Sequence, residues 1–420
     1  MKCQKLALFG AVIASLWLAE PGLAQESAAP DIALREFALS VLSDHPALRQ
    51  AQAELDAARA QARGQAQPLY NPEIEFEYEE ALDNSKSVGL SQTLDLSGKR
   101  RARANVATAE VVAAEARFAI TRKTILANLL IALSDYQVRR DAVRIAEQRV
   151  RLDEEFLALT ERRNRAGDLP QSDLLTARLT LAEARAAAST ASIEFSQAEE
   201  RLIAVVGGVM PPPPPLIGSP PQKRPSIDVV NVEALPELQS AQADTEAARS
   251  FVGVAKRNRI PDPTLGVKVG EERSALDPFG QRESSTLFGV RLSIPLPIRN
   301  TYSAEVDAAR AGSIAREQSY RDLRRRVEAR LAASLRRYET ALSAWQAWTA
   351  QGAAPLEEQR ALLQRLWEAG EIDAVDYIIQ LNQTFATESA GVELKGRLWT
   401  TWFDWLEASA AISEWVENIQ

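Results

Sequence analysis

The side chains that most often carry out enzyme chemistry or bind metals are scarce in this sequence. His45 is the single histidine, Cys3 is the single cysteine, and Met1 and Met210 are the two methionines. Zinc and copper sites need several such ligands, and no glycine-rich phosphate loop is present. We therefore expect no catalytic residue, no metal site and no cofactor, although the many carboxylates leave a hydrolase pair open. His45 precedes Pro46, which indicates a cap or surface position at a helix start.

Acidic side chains do occur in one regular pattern. Between residues 73 and 79 every second residue is a glutamate, and apolar residues fill the positions between them. This period of two predicts a β-strand with one acidic face and one apolar face. If lipid covers the apolar face, the acidic face lines a water-filled lumen, in which rings of carboxylates attract cations. The predicted lumen residues are Glu73, Glu75, Glu77 and Glu79.

Three further segments alternate in a similar way. We predict strands over residues 73–82, 87–96, 264–272 and 286–296, each about as long as a tilted transmembrane strand. A soluble sheet with one buried face is the alternative. Four strands cannot close a barrel, and lipid does not tolerate an open sheet edge. A membrane-spanning sheet would therefore require two or three associated chains, which would give about eight or twelve strands.

The chain contains an internal repeat. Motifs of the first half recur in the same order in the second half, at offsets that grow from 190 to 203 residues. The pairs are His45–Leu48 with Leu235–Leu238, Asn71–Glu73 with Asp262–Thr264 (offset 191), Val88–Leu90 with Phe288–Val290 (offset 200), and Arg165–Gly167 with Glu368–Gly370. We divide the chain into a first repeat (25–209), a proline-rich linker (210–225) and a second repeat (226–420).

The N-terminus predicts export. Lys2 and Lys5 precede an apolar run over 6–19, and small residues at Gly22 and Ala24 suit cleavage by a signal peptidase. A signal peptide over 1–24 is the prediction, with a membrane anchor as the alternative. Its removal changes the net charge from −8 to −9, and an acidic chain is a poor partner for nucleic acid. After residue 24 no apolar run approaches the roughly 20 residues of a membrane helix.

Each repeat predicts a long helical hairpin. In the first repeat a helix runs from about Arg101 to Gly167, which at 1.5 Å per residue is roughly 100 Å. A coiled-coil seam is predicted by an apolar residue every seventh position. Its members are Leu129, Tyr136, Val143, Val150 and Leu157. The matching helix of the second repeat begins near Ser303, and Gly352 with Pro355 predicts a break in it.

The two hairpins should end in similar turns. Gly167 and Gly370 stand where a left-handed helix C-cap requires glycine. In the first turn Asp168 is predicted to cap the following helix, with Pro170 just inside that helix. The resulting architecture is mainly α-helical, with a small β part of four strands.

These features resemble the TolC-like outer membrane efflux family over nearly all of the chain. The resemblance rests on the duplication, on His45–Leu48 at a helix start, on Pro72 before the first strand, and above all on the turn Arg165–Leu175. The segment Leu90–Arg100, echoed by Pro295–Asn300, is similar to the branch that serves heavy-metal efflux, the cobalt–zinc–cadmium type.

The resemblance implies a homotrimer in the outer membrane of a Gram-negative bacterium, with a twelve-stranded barrel and a long periplasmic helical tunnel. Such a duct is passive and works with a periplasmic adaptor and an inner-membrane resistance-nodulation-division pump. By the same resemblance, Asp173, Asp376 and Asp373 are aperture candidates. The implied adaptor-docking tips are Gly167, Asp168, Gly370 and Glu371. Divalent heavy-metal cations are the implied substrates. A duct for drugs or type I secreted polypeptides, or a periplasmic coiled-coil scaffold without a barrel, are the alternatives.

Overall fold

The computed structural model describes most of the chain. The described residues are 32–80, 84–216, 218–220, 226–273, 284–352 and 355–417. The predicted signal peptide (1–24), the last two residues of the first predicted strand (81–82) and part of the predicted linker, including 221–225, lie outside them. The described residues are mainly helical, with one small antiparallel sheet.

Six elements make up the first repeat. They are α1 (Ile32–Asp44), α2 (Pro46–Gln65), β1 (Glu73–Glu80), β2 (Asn84–Thr93), α3 (Lys99–Ala166) and α4 (Gln171–Val206). Helix α3 has 68 residues without a glycine or proline, so it spans about 100 Å. His45 separates α1 from α2 and caps α2, because its Nδ1 accepts the Ala47 N–H at 3.2 Å.

The second repeat has a similar order, with an additional break. It comprises α5 (Pro236–Asn258), β3 (Thr264–Arg273), β4 (Ser284–Ser293), α6 (Ser303–Gln351), α7 (Pro355–Ala369), α8 (Ala374–Ala408) and α9 (Ile412–Glu417). The predicted break is confirmed: α6 ends before Gly352 and α7 begins at Pro355. A proline has no N–H for the helix ladder, so the chain restarts there.

The four strands form one sheet in the order β1-β2-β3-β4, with every neighbouring pair antiparallel. The predicted bounds of the second and fourth strands were too late. Strand β2 begins at Asn84 and ends at Thr93, and β4 ends at Ser293. In both cases the chain leaves the sheet before a turn that leads into a long helix, Asp95 with Gly98 after β2 and Pro295 with Pro297 after β4.

Strand pairing corrects one predicted repeat offset. Ile74 lies opposite Leu90, and Leu265 lies opposite Leu292. Because Ile74 corresponds to Leu265 by the offset of 191, Leu90 must correspond to Leu292. The offset at the second strand of each repeat is therefore 202 rather than 200. The match of Leu90-Ser91 with Leu292-Ser293 agrees with this register.

Two apolar clusters hold the helices together. The larger cluster joins α1, α3, α4, α6, α8 and α9, and it buries Trp399, Trp402 and Trp405 of α8. The tryptophans therefore serve helix packing. The smaller cluster lies along the C-terminal part of α3. There Phe156 stacks with Tyr377 at a ring-centroid distance of 5.2 Å and contacts Trp367 at 5.0 Å.

The predicted heptad seam of α3 is only partly right. Leu129 is fully buried, but Tyr136, Val143, Val150 and Leu157 are half-buried. Helix α3 packs against α2, α4, α5 and α8 along its length. Its contact surface is therefore wider than the narrow stripe of a two-stranded coiled coil.

Candidate functional site

The apolar face of the sheet is its exposed face. Opposite residues on neighbouring strands are apolar across the whole width, as in Phe76 with Val88, Val88 with Val269, and Val269 with Phe288. Phe76 is 81% exposed and Phe288 is 73% exposed. The other exposed members are Ile74, Tyr78, Leu90, Leu265, Val267, Val290 and Leu292. A contiguous exposed apolar surface of this kind indicates contact with lipid or with another protein.

The opposite face of the sheet is polar, and its two central strands carry small residues there. Ser87 and Ser91 on this face are buried, whereas the aliphatic side chains beside them are exposed. Long side chains bridge this face, because Nη1 of Arg291 on β4 lies 3.6 Å from a carboxylate oxygen of Glu75 on β1. A soluble sheet buries its apolar face, whereas this sheet leaves its apolar face exposed.

The polar face carries basic residues as well as the predicted glutamates. Glu77 accepts a hydrogen bond from Nζ of Lys268 at 3.0 Å, and Glu75 accepts one from Ser91 at 3.1 Å. The four glutamates share one face of β1 as predicted, but Arg291 and Lys268 lie beside Glu75 and Glu77, and the place of the glutamates in a lumen stays a prediction. The acidic pattern of β1 could not reveal this, because both cations come from the other repeat.

A buried ion pair ties the sheet to the long helix. Nζ of Lys99, the first residue of α3, lies 2.8 Å from Asp262, and their side chains are 9% and 4% exposed. Asp262 also accepts the Tyr70 hydroxyl at 2.7 Å. Asp95 accepts the N–H groups of Lys99 and Arg100, each at 2.8 Å, and so caps the start of α3. The contact between Lys99 and Asp262 joins the two repeats where the helices meet the sheet.

The two helical tips have the predicted glycine geometry. Gly167 has φ 85° and Gly370 has φ 76°. Behind each glycine the next residue donates its N–H back to the helix, Asp168 to Arg163 and Glu371 to Leu366, both at 2.9 Å. These bonds are typical of a Schellman turn. The tips also touch each other, because Nη2 of Arg163 donates to the carbonyls of Trp367 and Glu368 at 3.1 and 3.2 Å.

The predicted acidic residues at the tips fall into different environments. The prediction that Asp168 caps α4 is wrong. Pro170 occupies the N-cap position, and no side-chain cap bond is formed there. Asp373 caps α8 and accepts the Asp376 N–H at 2.7 Å. Asp376 is exposed, whereas Asp173 is half-buried. The cap bond explains the conformation of Asp373, and the roles of Asp173, Asp376 and Asp373 at an aperture stay predictions.

A buried carboxylate lies between the hairpins. The side chain of Asp153 on α3 is 1% exposed, with Nε of Arg149 at 3.7 Å. Arg149 also holds Glu183 of α4 at 3.2 Å. Burial raises the pKa of Asp153 to about 6; Arg149 opposes the rise and Glu183 adds to it. Burial, followed by the charge of Asp153, raises the pKa of the neighbouring Tyr377 hydroxyl to about 12. This site could not be recognised from the sequence, because Arg149 and Asp153 have the spacing of an ordinary surface pair.

No described helix is both long and apolar enough to cross a membrane. Within the same residues, no three histidine, cysteine, aspartate or glutamate side chains stand together as a possible metal site.

Known proteins are similar to this chain in sequence and in fold. A family model described as Outer membrane efflux protein matches residues 39–208 and 233–404. The cobalt-zinc-cadmium resistance protein CzcC of Cupriavidus metallidurans is 25% identical over 258 residues, which are 59% of this chain and 60% of CzcC. The chain thus spans less than two thirds of that relative.

Two solved structures share the fold at low sequence identity. The outer membrane channel CmeC of Campylobacter jejuni has a TM-score of 0.74 at 14% identity, covering 93% of this chain and 90% of CmeC. CusC, whose crystal structures concern transmembrane channel formation, has a TM-score of 0.73 at 18% identity, covering 90% of this chain and 92% of CusC. The duplicated hairpins, the outward apolar sheet and the family match agree: the chain belongs to the outer membrane efflux protein family.

Proposed function

We propose that this chain is the outer-membrane channel subunit of a tripartite efflux system, in which three copies form a passive exit duct. The observation that carries the proposal is the two-faced sheet, with an exposed apolar face and a polar face that ion pairs cross. Lipid would cover the first face, and a water-filled lumen would lie against the second. A coiled-coil scaffold without a barrel gives no reason for this arrangement.

The open sheet supports a shared barrel. Strands β1 and β4 are the edges of the sheet, and an unpaired edge in lipid leaves N–H and C=O groups without partners. Closure by other copies of the same chain satisfies both edges. With three copies the barrel has about twelve strands, which lies in the range of bacterial outer-membrane barrels.

The length and ends of the helices suggest the remaining parts of the system. Helix α3 begins next to the sheet at Lys99 and ends at the tip before Gly167, about 100 Å away. With the sheet in the outer membrane, the tips would lie deep in the periplasm. There the turns at Gly167, Asp168, Gly370 and Glu371 would dock a periplasmic adaptor, which connects the duct to an inner-membrane pump of the resistance-nodulation-division class.

Divalent heavy-metal cations are the proposed substrates. The support is the similarity to CzcC, a cobalt-zinc-cadmium resistance protein by name, and the glutamates of the polar face. Arg291 and Lys268 balance the charges of Glu75 and Glu77 in part. Glu73 and Glu79 lie on the same face of β1 and add negative charge, so the β1 side of the lining stays negatively charged. Carboxylate rings concentrate cations and repel anions.

Two neighbouring substitutions on β3 test the membrane orientation. Val267 lies on the apolar face and Lys268 on the polar face. An arginine at a lipid-facing position near the middle of a bilayer costs roughly 2–4 kcal/mol. Val267→Arg should therefore abolish outer-membrane insertion and resistance to cobalt, zinc and cadmium, whereas Lys268→Arg should retain both. Equal insertion of the two variants would contradict the orientation. In a strain that lacks the gene, the wild-type protein should insert normally and restore resistance to these metals. Normal insertion with unchanged metal resistance would contradict the proposed substrate.

A further inference from the structure

We propose that β4 of one chain pairs with β1 of a second copy in one defined register, which places Arg291 opposite the partner subunit's Glu77. This inference rests on the proposed function and goes beyond it by assigning the contacts that close the barrel. The occupant of both sheet edges is another copy of this chain. The register follows from the internal repeat.

The repeat provides an internal example of the missing interface. Within one chain the second strand of the first repeat, β2, pairs with the first strand of the second repeat, β3. The next equivalent junction in a ring of repeats joins the second strand of the second repeat, β4, to the first strand of the first repeat in the following copy. The β2–β3 pairing therefore serves as a template for the β4–β1 pairing between copies.

The template gives the register directly. In the β2–β3 pair, Gly89 lies opposite Lys268. By the offset of 202, Gly89 of the first repeat corresponds to Arg291 of the second. By the offset of 191, Lys268 of the second repeat corresponds to Glu77 of the first. The residue after Arg291, Leu292, then lies opposite the partner subunit's Phe76.

Charge and hydrophobicity agree with this register. Leu292 and Phe76 are both on the exposed apolar face, so the apolar band continues from one copy to the next. On the polar face Arg291 lies 3.6 Å from Glu75 of its own chain and still has 60% of its side chain exposed, and in this register the partner subunit's Glu77 would lie directly across the strands from it. Opposite charges in such positions stabilise strand pairing.

Other registers are distinguishable. A slip of one residue would turn apolar side chains toward the polar face, which the continuous band forbids. A slip of two residues keeps the faces. In one direction it leaves Arg291 opposite the partner subunit's Glu75, with Val290 opposite the partner's Phe76, and in the other direction it leaves Arg291 opposite the partner's Glu79. Charge alone does not separate these three registers, but the repeat favours the first, because the strand pairing within the chain fixes the offset at 202.

Cysteine cross-linking tests the register with one position held constant. The single native cysteine, Cys3, lies in the predicted signal peptide and is replaced by serine. Phe76→Cys is combined either with Leu292→Cys or with Val290→Cys. Residues directly opposite each other have Cβ atoms about 4.5–5.5 Å apart, whereas diagonal neighbours are about 7–8 Å apart, and a disulfide needs about 3.5–4.5 Å.

The Leu292→Cys combination should give interchain disulfides up to a covalent trimer, and the Val290→Cys combination should give few. Val290→Cys with Tyr78→Cys is a second pair in the expected register, should the first disturb folding. Val88→Cys with Val269→Cys, the equivalent pair within one chain, controls for reactivity.

The outcomes separate the two levels of the proposal. Efficient linkage of Val290→Cys with Phe76→Cys, in an intact trimer, would overturn the register and leave the proposed function standing. A trimer in native mass measurements without linkage in either expected pair would also overturn the register. A monomer in mild detergent, for the wild type and all variants, would overturn the shared barrel itself.

Discussion

Replacing Asp153 with asparagine should stabilise the protein by roughly 3 kcal/mol at pH 8 and by about half as much at pH 5. The side chain of Asp153 is buried between the hairpins, and burial raises its pKa from 3.8 to about 6. In the unfolded chain the carboxylate is hydrated, so its pKa there is close to the ordinary value. The folded state therefore binds a proton that the unfolded state has already lost between about pH 4 and pH 6.

The sign and size of the effect follow from this difference. Stability that depends on the bound proton is fully present below about pH 4 and is lost as the pH rises through the folded pKa. Each pKa unit corresponds to about 1.4 kcal/mol. A difference of about two units gives a loss of roughly 3 kcal/mol by pH 7. Asparagine stays neutral, so Asp153→Asn should avoid this loss while Arg149 keeps Glu183 as its partner.

Thermal unfolding of the detergent-solubilised protein from pH 5 to pH 8 measures the effect. The unfolding midpoint of Asp153→Asn should exceed that of the wild type at pH 8, and the difference should shrink toward pH 5. Asp141→Asn, at a partly exposed position of the same helix, is the matched control and should show no such trend. Equal midpoints of Asp153→Asn and wild type at pH 8, or a difference that grows as the pH falls, would refute the reasoning.

Three further outcomes are expected. Gly167→Val or Gly370→Val should lower the free energy of unfolding by roughly 1–2 kcal/mol, because both glycines have positive φ. Efflux should fall while the trimer persists. The control Gly64→Val, inside α2 with open space around it, should leave efflux normal. Asp376→Ala should raise single-channel conductance and weaken block by multivalent cations in planar bilayers; unchanged values would place Asp376 outside the aperture. Lys99→Ala should destabilise the protein by about 3–5 kcal/mol in denaturation, because it leaves a buried carboxylate unpaired, and a loss below 1 kcal/mol would contradict a dry ion pair.

Features that depend on local chemistry could be predicted from the sequence. A glycine at a helix end, as at Gly167 and Gly370, indicates a left-handed backbone conformation whatever the path of the following chain. The alternation in β1 indicates a strand with two different faces, and Pro355 indicates a helix start. These residues fix their own conformation, so neighbouring sequence was enough.

Features that depend on distant partners could not be predicted. The charge of the polar face required Lys268 and Arg291, which lie far from β1 in sequence. Asp168 looked like a helix cap, but the path of the turn puts Pro170 at that position. The repeat offset at the second strand shifted by two residues, because weak sequence matches two residues apart are equally plausible until the pairing of the strands is known.

The sheet also constrains the order in which the chain folds. Each two-stranded hairpin is local in sequence, but the bond between the Thr93 and Thr264 hydroxyls joins residues 171 positions apart. An isolated hairpin is marginally stable, and closing so long a loop carries a large entropic cost. The helices of the two repeats must therefore dock first and bring β2 to β3. Until then each chain holds two apolar hairpins with open edges, which invite aggregation. Under the proposed function the tryptophan-rich helical core is the platform on which the sheet assembles, and substitutions that slow its docking should lower the yield of channels before they alter any property of the channels that form.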